Sequence, residues 1–158
     1  MDAEAWTLVS LLIHVPVVVT WIALVGIKVF LCSVRDWPGG RRMRLIMAMR
    51  WPTVALLVII VVTGVWQTMY NPFLEVNSYA TLQELKSTTA YGMALFWKHV
   101  FVMGTVVLSL ASRFVLAPRA LAAGDERVSM LLRAVVWLNL IACLLTLLAT
   151  TRMTITLH

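Results

Sequence analysis

From residue 6 to residue 32 the chain reads WTLVSLLIHVPVVVTWIALVGIKVFLC, an apolar run interrupted by a single charged side chain, Lys28. Comparable runs follow at about 51–70, 91–116 and 129–151. A helix needs about 20 apolar residues to cross the ~30 Å hydrocarbon layer of a bilayer, and lipid tolerates only backbones that satisfy their own hydrogen bonds. Four transmembrane helices are therefore expected. With 61% hydrophobic and 13% charged residues, the chain carries more apolar surface than one soluble core of this size can hide. The expected fold is all-α: an integral membrane four-helix bundle, one domain spanning 1–158.

The first run opens on Asp2 and Glu4 in place of a basic segment, runs long and has no small-residue cleavage site, so it reads as a retained helix. Two cysteines, Cys32 and Cys143, do not make a disulfide framework. The net charge of +6 is unevenly placed. Arg35, Arg41, Arg42, Arg44 and Arg50 fall between helices one and two, and Arg113, Arg119, Arg127 and Arg133 fall around the link between helices three and four. By the positive-inside rule these loops are cytoplasmic and both termini lie on the outer, periplasmic side. Membrane lipid is then a sufficient partner for the basic charge, and nucleic acid is not implied. The expected location is a bacterial inner membrane.

In the inner link the Pro-Gly-Gly after Trp37 is a breaker that ends helix one, and Trp51 and Pro52 open helix two. In the outer link, Phe73, Leu74, Leu82 and Leu85 suit a short surface helix or a plain loop. The link APRALAAGDER is short, which makes helices three and four antiparallel neighbours.

Against this background the polar residues at membrane depth carry the functional information, because each costs free energy unless it is used or partnered. His14 lies eight residues into helix one and His99 eight residues into helix three. Both helices enter from the same side, so the imidazoles share a depth of ~12 Å. Two neutral imidazoles across a bundle interior supply the axial nitrogens of a six-coordinate haem b iron; copper, the second candidate, also accepts them. Thr63, Gly64 and Cys143 are expected at about the same depth. Gly64 allows close approach of a flat ring, and Cys143 is a reserve ligand or a packed thiol. Arg152 and Lys98 are the candidate partners of haem propionates, or else a solvated helix end and a snorkelling lysine. His14, Trp21 and Lys28 repeat every seven residues, as do His99, Val106 and Arg113, so each set shares a helix face. Lys28 and Arg113, ~21 Å from the histidines, are expected to snorkel to the inner headgroups, a polar path across the membrane being the alternative. Pro16 can kink helix one near His14. Trp21, Trp97 and Trp137 are deep enough to flank a porphyrin or simply to pack, and His158 reads as a frayed terminus.

The run IHVPVVVTWIALVG, the segment VVTGVWQ and the basic residue Lys98 in helix three resemble small haem-binding membrane proteins of the HemJ and CopD-like group. HemJ-type proteins are four-helix, b-haem-containing protoporphyrinogen oxidases, and CopD-like proteins are associated with copper uptake. The resemblance implies a haem-ligand role for His14 and a catalytic role for Lys98. The third helix differs from the HemJ arrangement Trp-x-His-x-Lys, since Trp97, Lys98 and His99 are contiguous here. The leading expectation is a b-type cytochrome-like protein passing electrons to or from a redox partner or larger complex. The alternatives are a HemJ-like oxidase, a CopD-like copper transporter and a structural subunit.

Overall fold

A computed structural model describes residues 3–34, 39–70, 78–123 and 126–155. Arg35, Trp37, Pro38, Phe73, Leu74 and His158 lie outside the described residues. The described chain is all helix: α1 (Ala3–Ser33), α2 (Gly39–Ala48), α3 (Arg50–Met69), α4 (Tyr79–Thr88), α5 (Ala90–Leu110), a π-helical turn (Ala111–Leu116), α6 (Ala117–Ala123) and α7 (Glu126–Ile155). Four stretches, Ala5–Ser33, Gly40–Met69, Ala90–Ala122 and Glu126–Ile155, are long and apolar enough to cross a membrane.

All four stretches are longer than the apolar runs that announced them. α2 leads into α3 through Met49, whose carbonyl accepts from the Thr53 amide; Pro52, which has no amide proton, sits at this junction. α5 continues through the π turn into α6, because Ala, Leu and Arg in APRALAA are good helix formers whatever their solvent. The uncertain outer link holds α4, capped by Ser78, whose hydroxyl accepts from the Thr81 amide. Thr89 then ends α4 and caps α5 by accepting from the Gly92 amide. Gly92 is required here: a Cβ would lie 2.2 Å from the Leu85 carbonyl oxygen. α4 accordingly packs on α5 through Leu82, Tyr91 and Leu95.

α1 sits between α3 and α7, and α5 packs along α7. Tyr91 and Leu95 share a cluster with Met153, Val106 with Cys143, and Leu116 with Leu132, so α5 and α7 run antiparallel, as the short link requires. α1 is antiparallel to α3, since His14 reaches Thr63 while Trp21 and Val25 pack on Leu57. α1 and α5 are therefore co-directional and meet across the bundle instead of side by side.

Apolar packing is concentrated away from the part of the α1/α3 seam nearest the start of α1. One cluster fills the arginine-rich end around Leu132, Val136 and Ala117, and a second lies mid-bundle around Trp21, Val25, Leu57 and Cys143. Toward the start of α1, α1 and α3 are joined by polar contacts: Ser10 donates to the Thr63 carbonyl and Gln67 donates to Ser10. Leu12, Val19, Val62, Met103, Val107 and Leu148 are exposed, which suits a lipid-facing surface, where no hydrophobic drive toward burial operates.

Candidate functional site

The register of α1 against α5 follows from one bond. Lys28 Nζ donates to Ser112 Oγ, a separation of 84 residues, and Trp21 and Val106 join the same cluster at nearly that offset. Carried one and two heptads outward along two co-directional helices, the offset sets His14 level with Lys98 and His99. His99 belongs to the α5 stripe that carries Val106 into the central cluster, and it is half-buried, as is His14.

Each imidazole is held at Nδ1. The Thr63 hydroxyl has one proton and gives it to the Ile59 carbonyl at 2.6 Å, so its oxygen accepts from His14 Nδ1–H at 2.7 Å. His99 Nδ1 lies 2.8 Å from the Leu95 carbonyl, which can only accept. In both rings the proton is thus on Nδ1 and the Nε2 lone pair is available, the tautomer that supports a metal-ligating histidine. The His14 ring lies over Gly64, where a Cβ would meet its Cε1 at 3.5 Å. Alanine fits that distance, whereas a larger side chain would displace the ring. Lys98 is the neighbour of His99 in α5 and is half-buried.

Not every expected residue joins this layer. Cys143 packs with Trp21 and Leu57, one heptad, or about 10 Å, inward of the histidines; it is a packed thiol at another level. Arg152 lines a groove with Lys86 and Trp97 between α4, α5 and α7. Trp97 stands about half a helical turn around α5 from His99, so this groove opens on the side away from the imidazole. Trp97 and Trp137 are exposed and only Trp21 is buried. Pro16 is accommodated within a continuous α1, with Thr20 donating to its carbonyl.

Lys28 and Arg113 do not snorkel. Each is 2% exposed, and Lys28 bonds to Ser112, the residue before Arg113. The cause is the π turn, which brings the adjacent residues Ser112 and Arg113 both inward. Ser112 passes its proton to the Ser109 carbonyl, Asn139 donates to Ser109 Oγ at 2.9 Å, and Arg113 Nη1 donates to the Met49 carbonyl at 3.0 Å. Arg113 Nε and Asn139 Oδ1 have no hydrogen-bond partner among the described residues. No acidic residue occurs in 5–33, 40–69, 90–122 or 127–155, and the one carboxylate of these four stretches, Glu126, stands at the very start of α7. The seven-residue spacing to the histidines was the signal for this second centre, but spacing alone does not separate a lysine facing the interior from one reaching a headgroup.

Compared with known proteins, the chain matches no family model, no curated protein and no solved structure.

Proposed function

We propose that the chain is a membrane b-type cytochrome-like protein that holds haem b between α1 and α5 and passes electrons to or from a partner. The observation that supports this reading is that both imidazoles have Nδ1 held by an acceptor, leaving Nε2 to ligate, on co-directional helices whose register, extended from the Lys28–Ser112 bond, brings the two to one level. A haem bound there supplies a one-electron couple within the apolar layer. The donor set favours haem over a bare ion: among the described residues no three His, Cys, Asp or Glu side chains come together to hold a metal, and a porphyrin asks the protein for only two nitrogens.

The chain's own residues have separable tasks. His14 and His99 would hold the iron through Nε2, Thr63 and the Leu95 carbonyl orient the rings, Gly64 leaves the His14 ring its place over α3, and Lys98 would offer positive charge to a propionate. Arg152, on the far side of α5, is not needed for that task. The arginine-rich links, through the positive-inside rule, support a position for this layer toward the periplasmic side of a bacterial inner membrane. Visible spectra of the purified protein, oxidised and dithionite-reduced, test the reading. Soret and α bands are expected in the wild type and their loss in His14→Ala and His99→Ala; a colourless protein from haem-replete cells removes it.

A second reading, porphyrinogen oxidation of the HemJ kind, is supported by the resemblance in the first helix and by the half-buried Lys98 next to His99 in α5. It predicts that the wild type complements a strain lacking that oxidase and that Lys98→Met does not, while the haem spectrum survives. Failure of the wild type to complement, with haem loaded, leaves the cytochrome reading alone.

A further inference from the structure

At the arginine-rich end of the bundle, α1, α2, α6 and α7 surround a cavity of about 240 Å³ that neither histidine touches. Its polar lining comes from Arg42, Arg133 and Ser129, and its wall is apolar, with Leu31, Ile46 and Leu132. The two arginines meet here because α1 ends without a basic residue of its own: Arg133 Nε donates to the Cys32 carbonyl at 3.1 Å and Arg42 Nη1 to the Val34 carbonyl. These bonds satisfy carbonyls that a helix end leaves open. They use one N–H of each guanidinium and hold both groups at the cavity, with further N–H donors remaining. Among the described residues no acidic side chain lines it.

We infer that this cavity binds the phosphate of an anionic membrane lipid. Two guanidinium groups fixed at one cavity match a phosphate in charge and in donor geometry. The apolar wall and the position at the ends of the spans, among Arg41, Arg44, Arg119 and Arg127, fit a phosphate that carries acyl chains and not a free ion. Because α1 contributes carbonyls, α2 Arg42 and α7 Arg133, the lipid joins elements that are otherwise linked at this end through side chains. The site is independent of the haem reading and stands or falls separately from it.

The test uses the whole protein in nanodiscs of equal phosphatidylglycerol and phosphatidylcholine, with retained lipid measured by native mass spectrometry. Wild type is expected to retain phosphatidylglycerol preferentially. Ser129→Asp, which adds a carboxylate to the cavity and leaves both arginines on the α1 carbonyls, is expected to lower that preference at least tenfold. Arg42→Gln with Arg133→Gln should do the same, and Arg119→Gln, outside the cavity, should not. Equal retention of the two lipids by the wild type overturns the proposal, as does an unchanged preference in Ser129→Asp. Displacement of the bound lipid by inorganic phosphate alone would also overturn it, showing that the acyl chains contribute nothing.

Discussion

Thr63 shows how one hydroxyl sets the chemistry of a neighbouring ring. By giving its proton to its own helix at Ile59 it becomes an acceptor only, and His14 answers with Nδ1–H. Thr63→Val keeps the shape and removes the acceptor. Under the haem reading it is expected to weaken haem binding about 10- to 100-fold, the usual cost of losing such an orienting partner. Titration of apoprotein with haemin, followed at the Soret band, measures this; affinity equal to wild type would mean that His14 is not a ligand or not oriented by Thr63. Gly64 gives a graded companion. Gly64→Ala should bind as wild type because its methyl meets His14 Cε1 at 3.5 Å, whereas Gly64→Leu should push the ring from its place and abolish the spectrum in a protein that still folds.

Among the elements, the four spans were legible because length and apolarity suffice to mark a helix that lipid permits. Their lateral order was not, since lipid-facing and partner-facing stripes are equally apolar. The direction of α1 and α5, and with it the shared depth of His14 and His99, follows from loop parity and could be read in advance. The burial of Lys28 and Arg113 depends on the π turn, and nothing in ASRFVL announces that turn. α4 likewise hid in a polar link, its helix secured by Ser78, Thr89 and the close approach at Gly92. Gly92→Ala must separate α4 from α5, because the added carbon would stand 2.2 Å from the Leu85 oxygen. A loss of about 1–3 kcal/mol is expected, the range for forced overpacking, and it would be read as a lower thermal midpoint in detergent. Gly104→Ala is the control, with nothing within 4 Å of its added methyl, and should not destabilise.

For the whole molecule the decisive quantity is the charge enclosed by the bundle. The spans contain Lys28, Lys98 and Arg113 and no carboxylate between residues 5 and 33 or 90 and 122, although an uncompensated buried charge costs several kcal/mol. Such residues persist at membrane depth where they are used. Two substitutions separate use from support. Arg113 ties the π turn to α3 through the Met49 carbonyl, so Arg113→Met should lower the thermal midpoint. Lys28 has one neutral partner, Ser112, and Lys28→Met replaces a buried amine with an apolar side chain of similar length. The desolvation argument then expects Lys28→Met to melt at or above the wild-type temperature while losing whatever activity the bundle performs. A lower midpoint for Lys28→Met, equal to that of Arg113→Met, would make Lys28 a structural residue and confine function to the histidine layer.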